Sequence, residues 1–185
     1  MMDLTRRGLL IGLGATGLVA GCSNGIGSGG AAEIDARADS TIQYMLQAYP
    51  GTQDLMNRSA GMLVMPVISE LGLGFGGSYG RGALRIHQTT VDYYSAASAS
   101  AGFQIGAQQF SHVLFFMTQD ALGQFRTGYG WAAGADVEYA IAENGDMLRT
   151  DTTTSSAPVI AVVFAQSGLR VGATIEGTKY SRIIP

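Results

Sequence analysis

The chain has 185 residues, 46% of them hydrophobic, with 27 glycines, 4 prolines, one cysteine and a formal net charge of −3. That length bounds it to one domain able to bury a core of its own. A single cysteine excludes an intrachain disulfide and thiolate zinc sites, and basic residues scattered singly leave no run to track a phosphate backbone, so nucleic acid is not an expected partner.

Arg6 and Arg7 precede an uncharged run from Gly8 to Ala20, and Leu18-Val19-Ala20-Gly21-Cys22 closes it. Charge, a short apolar run, small residues and one cysteine, in that order, read as a bacterial lipoprotein signal peptide spanning residues 1–21. The run is too short and too rich in glycine for a permanent transmembrane helix. Cys22 is then the mature N-terminus and the lipid anchor, carrying a covalent lipid such as palmitate. Thr5-Arg6-Arg7-Gly8-Leu9-Leu10 resembles a twin-arginine export signal, with Sec export as the alternative. The small neutral Ser23 after the cysteine favours the periplasmic face of the outer membrane over the inner membrane. Removing residues 1–21 takes away two of the 11 basic and one of the 14 acidic residues, leaving 164 residues with net charge −4.

Residues 22–32, mostly Gly, Ser, Ala and Asn, read as a flexible tether. From Glu33 to Tyr49 the apolar positions Ile34, Ala38, Ile42, Met45, Leu46 and Tyr49 fall on one face of a helix, ended by Pro50-Gly51. That stripe covers a sheet or, alternatively, lies on lipid. A second helical turn is expected over residues 52–59. Gly61 to Val67 suits an edge strand because of Pro66. Gly72, Gly74, Gly76, Gly77, Gly80 and Gly82 recur mostly at spacing two. In a strand this leaves one face bare, so that another backbone or a large ring can approach it closely. Strands continue over 83–88, 93–101, 103–108 and 111–117, with Val113-Leu114-Phe115-Phe116-Met117 the strongest core segment. Thr118 caps a short helix through Arg126. Residues 131–142 alternate weakly, Asn144-Gly145 marks a hairpin turn, and strands are expected over 159–164 and 170–176. The fold class is therefore α+β: an N-terminal helical lead-in, then a mainly antiparallel β domain (residues 33–185) with one short inserted helix.

Two motifs imitate catalytic chemistry. Gly76-Gly77-Ser78-Tyr79-Gly80 matches the nucleophile elbow G-x-S-x-G, with Asp92 and His112 following in hydrolase order. The elbow needs a helix after the serine, and Tyr-Gly-Arg-Gly-Ala-Leu is poor helix; a serine hydrolase using Ser78 is the remote alternative. Gly72 to Gly77 fits G-x-G-x-x-G, again with no helix to hold a pyrophosphate. His87 and His112 read as structural or surface imidazoles, and Asp136 with Glu138 as solvated or structural charges rather than paired catalytic acids. No catalytic residue, cofactor or metal is expected.

Ala60-Gly61-Met62-Leu63-Val64-Met65-Pro66, the glycine run to Gly82, Tyr93-Tyr94 with the Ser/Ala run through Gln108, Phe116-Met117-Thr118, Trp131 to Asp136, Ser167-Gly168-Leu169 and Glu176-Gly177 together resemble the SYLF lipid-binding domain, of the Las17-binding, actin-associated type. The resemblance runs from about residue 35 to 180. It implies a non-catalytic domain that binds lipid, with phospholipid or a membrane surface as partner. It departs from eukaryotic members at the first helix, where Arg37 stands against Glu33, Asp35 and Asp39, so phosphoinositide preference and the actin role are not carried over. Tyr79, Arg81, Tyr93 and Tyr94 border the glycine-rich strand and are the candidate lipid contacts; sheet packing and a solvated arginine are their plainer reading. The competing function is a tethered structural or protein-interaction lipoprotein whose domain does not touch lipid and whose protein partner is unknown.

Overall fold

The structure, a computed structural model, describes residues 28–128, 130–134, 137–139, 157–164 and 175–185; for residues 71–75, 100–108, 138 and 139 it describes the backbone alone. Among the described residues, helices and strands follow in the order α1 (Gly30–Ala48), α2 (Thr52–Arg58), β1 (Gly61–Ile86), β2 (Thr89–Phe116), α3 (Gln119–Thr127), β3 (Trp131–Ala132), β4 (Val137–Tyr139), β5 (Val159–Phe164) and β6 (Lys179–Ile183). The expected α+β class holds. Among the described residues every pairing is antiparallel except β4 with β5.

The helices form where the periodicity places them. Helix α1 begins at Gly30, so the expected tether gives up its last three residues to the helix. Ile34, Ala38 and Met45 are buried along one stripe. They pack on a sheet face rather than on lipid, together with Met62, Val64, Val113, Phe115, Ile160 and Val162. Thr118 caps α3 by accepting a hydrogen bond on Oγ1 from the Ala121 N–H at 3.1 Å. This satisfies one of the helix's orphan donors.

The strands differ from expectation in their length. What reads as six short segments is one hairpin of two long strands. It pairs Gly61 with Phe116 at its base and Ile86 with Thr89 at its tip. The expected strand over 83–88 turns at its end: His87 and Gln88 have φ of 47° and 67°. Two successive positive φ values are the signature of a type I′ turn, whose twist matches that of the strands it joins. Pro66 sits in a register shift between Met65 and Ile68, where its missing N–H costs no ladder bond. Strand β1 pairs with β2 alone among the described residues, so Pro66 is also on an edge strand. Strand β2 is the spine. Its other side takes β6 along residues 93–97 and β5 along 111–116.

The sheet curls until β1 meets itself. Leu63, Met65, Leu84, Leu114, Phe116, Val159, Ala161, Val163 and Tyr180 build an inner core that α3 closes through Leu122 and Phe125. Odd and even positions of β5 serve the two cores alternately, and all six residues are buried. The bare glycine face makes the curl possible. A Cβ at Gly82 would collide with the Val64 carbonyl oxygen and the Met65 sulfur, and one at Gly80 with the Val67 carbonyl oxygen. The close approach expected of this face is thus made by backbone of the same strand.

Strand β6 was not expected, and the strand expected over 170–176 is not found at its described end: Ile175 and Glu176 lie in a turn before β6. The turn expected at Asn144-Gly145, residues 170–174, the segment expected to be a signal peptide and Cys22 all lie outside the described residues.

Candidate functional site

The four candidate lipid contacts do not converge. Tyr79, Arg81 and Ala83 share one face of β1, and Ala83 pairs with Tyr93. Tyr79 is 56% exposed, and Arg81 is half-buried with a partner of its own. Tyr94 points through the sheet into the inner core, its ring centroid 4.6 Å from that of Phe125. The alternation that puts adjacent residues on opposite faces separates the doubled tyrosine.

Tyr93 instead belongs to a latch between α1 and the hairpin tip. Its hydroxyl donates to Asp35 Oδ2 at 2.8 Å, and Thr90 Oγ1 donates to Asp35 Oδ1 at 2.7 Å. Arg85, only 9% exposed, reaches Asp39 Oδ1 at 2.8 Å and Asp35 Oδ1 at 3.5 Å, and donates to the Gln88 carbonyl at 3.1 Å. Burial first, and then the hydrogen bond and charge of Asp35, push the Tyr93 hydroxyl up to about 12. The acidic residues that set α1 apart from a basic membrane helix are therefore in use. Asp35 and Asp39 neutralise a buried arginine.

Beside this latch, the open flank of α1 and the β1 bulge leave a groove of about 570 Å³. Ala36, Ser40 and Tyr44 follow one another at helical spacing four along its wall, with Arg37 and Thr41 next to them. Pro66, Val67 and Ser111 form the opposite wall and Phe164 the floor. The bulge is held by Ser111 Oγ, which donates to the Pro66 carbonyl at 2.6 Å. Tyr44 stacks obliquely over Phe164, centroids 5.8 Å apart, and keeps 37% of its surface exposed. Arg37 is exposed and pairs with Glu33 at 2.6 Å. An apolar trough with a charged residue among its lining has the makeup of a site for an amphiphile. Sequence reading missed it because the two walls are far apart in the chain and neither is a motif; the outward position of Tyr44 beside a buried stripe was the one available sign.

The hydrolase constellation is not assembled. Ser78 lies within β1, and its Oγ shares a 2.7 Å hydrogen bond with Ser98 Oγ. Asp92 accepts from Arg126 and Arg182. His112 is fully buried, with Nε2 2.8 Å from the Tyr180 hydroxyl and Nδ1 without a partner; burial lowers its pKa from 6.5 to about 3. It is a core histidine, the structural one of the two expected readings. The G-x-G-x-x-G run likewise continues as strand. Asp136 lies outside the described residues, and Glu138 is a backbone position of β4. Among the described residues no cluster of His, Cys, Asp and Glu is placed to hold a metal ion, and no helix is long and apolar enough to cross a membrane.

Residues 97–182 match the family model described as "Ysc84: Las17-binding protein actin regulator". The matched stretch runs from the middle of β2 to β6. No curated protein matches the chain.

Proposed function

We propose, from the match of residues 97–182 to the Ysc84 (SYLF) family model, that this protein is an exported lipoprotein whose domain binds lipid without catalysing a reaction. The observation that carries the reading is the groove between α1 and the β1 bulge. Its apolar walls suit the acyl chain of a phospholipid, and Arg37 supplies a charge for the headgroup end. Cys22 holds the molecule to the membrane, and Ser23 points to the periplasmic face of the outer membrane. A triacylated cysteine anchors firmly by itself, so a lipid site in the domain serves another purpose than attachment, such as sensing or handing over a lipid.

The two cores run from Ile34 to Tyr180 among the described residues, so the chain from Ser23 onward carries the fold without its anchor. This form is expected to co-float with phospholipid vesicles at low and at high salt, because apolar insertion is not screened. Ser40→Trp, which fills the groove from an exposed position on α1, is expected to weaken flotation about tenfold, the worth of about 1.4 kcal/mol, with the melting temperature little changed. Absence of flotation at both salts would remove the lipid reading. The family's description names a protein partner and actin, so the search would then move to a protein ligand.

A further inference from the structure

A second cavity, of about 500 Å³, opens where α3 ends against β2 and β6, apart from the lipid groove and independent of it. Its lining brings together three cationic side chains, Arg126, Lys179 and Arg182, and three hydroxyls, Tyr94, Thr127 and Ser181. In the sequence these cations are single and scattered. The pairing of β6 with β2 and the packing of α3 collect them.

The charges do not cancel. Among the described residues Asp92 is the carboxylate paired with the arginines, and both use the same oxygen: Arg126 Nε lies 3.1 Å and an Arg182 terminal nitrogen 3.3 Å from Oδ2. That Arg182 nitrogen also donates to the Arg126 carbonyl at the end of α3, at 3.3 Å. A guanidinium has five N–H donors, so most of those on both arginines stay unspent. Against three positive charges stand one carboxylate and the helix C-terminus, equivalent to roughly half a negative charge. Among the described residues an excess of about 1.5 positive charges remains at the cavity.

The cavity also holds an unsatisfied donor. Tyr94 is 3% exposed; its buried hydroxyl lies beside the Arg182 guanidinium, whose pKa it raises first through a hydrogen-bonding contact, but among the described residues it finds no acceptor for its own proton at good geometry. A buried polar group left open is costly unless something arrives to meet it. The Lys179 side chain passes over Gly130. Gly130 has φ +82°, and a Cβ there would stand 2.6 Å from Lys179 Cε.

We propose that this cavity binds a phosphate group, held by Arg126, Lys179 and Arg182 and oriented by the Tyr94 hydroxyl. Phosphate offers several acceptor oxygens to a fork of donors, and charge-assisted bonds to arginine are the strong ones. The same chemistry comes from a lipid headgroup or from a soluble phosphate.

The test uses the chain from Ser23 onward with two probes, inorganic phosphate in titration calorimetry and vesicles of phosphatidylglycerol against phosphatidylcholine in flotation. Lys179→Gln and Tyr94→Phe are the variants; the first is a surface change and the second keeps the buried ring, so both should fold. Each is expected to weaken binding about tenfold, the loss of one charge-assisted hydrogen bond. Ser40→Trp, in the other groove, should leave phosphate binding untouched. Phosphate binding that is sensitive to both variants supports the site with a soluble anion as its source. A variant-sensitive preference for phosphatidylglycerol without phosphate binding supports it with a headgroup as its source. No binding of either probe, or binding indifferent to both variants, overturns it.

Discussion

His112 is a basic side chain kept neutral by burial. Its pKa falls to about 3 in the folded protein, while in the unfolded chain it returns to about 6.5. Below that value the unfolded state binds a proton that the folded state refuses, so stability is complete above pH 6.5 and drains away as pH falls toward 3. The slope approaches about 1.4 kcal/mol per pH unit. Urea midpoints should show a loss of about 1 kcal/mol between pH 6 and pH 5, a window above most carboxylate titrations. In His112→Gln that loss should vanish, whatever the variant's absolute stability. Equal slopes in the two proteins would mean that His112 finds its proton while folded. The sequence left His112 as a structural or surface imidazole beside an apolar run. Its Tyr180 partner could not be seen, because 68 residues separate them and β6 was not recognised.

Elements were legible in proportion to how local their causes are. Helices α1, α2 and α3 follow from apolar spacing and from Thr118, all within a few residues of one another. Strand β5 shows as an apolar run. The long hairpin was broken up because Pro66 and the glycines read as interruptions, whereas a register shift and a self-packed face absorb them. Strand β6, Lys-Tyr-Ser-Arg-Ile, buries only Tyr180 fully and carries no run to notice. The latch between α1 and the hairpin tip was equally invisible, since Asp35 looks like an ordinary acid in a first turn. Asp35→Ala should cost about 2–4 kcal/mol, because it leaves the buried Arg85 with Asp39 alone and strips Thr90 and Tyr93 of their acceptor. Chemical denaturation measures this. Hydrogen exchange should show faster opening of α1 than of β5. Uniform loss of protection would show that α1 is no separate unit.

For the whole molecule, the curl of the sheet over its inner core is the feature on which everything else hangs. It depends on missing Cβ atoms. Gly82→Ala forces a methyl group into the Val64 backbone and the Met65 sulfur, and backbone cannot yield as a side chain does. The expected cost is about 3 kcal/mol or more. Gly123→Ala is the counterpart: it lies in α3 with nothing within 4 Å of the added carbon, and should stabilise by about 0.5–1 kcal/mol. Thermal unfolding of the two variants should therefore shift in opposite directions. Shifts of the same sign would mean that the curl tolerates a side chain at Gly82. The candidate groove and the cationic cavity both depend on this closure, which is why neither was legible: each gathers residues from separate parts of the chain.

The turn at His87-Gln88 has a consequence for the route by which this shape is reached. Joining distant ends costs entropy that grows with the intervening length. Gly61 therefore meets Phe116 most cheaply once the pairs nearer the tip have shortened the gap. Zipping from the tip inward is the economical order, yet its first step places two non-glycine residues at positive φ, a conformation worth about 1–3 kcal/mol of strain each. On that route the first step is locally strained. The helices, local and quick to form, then wait for the slowest strand pairing before they have a surface to cover.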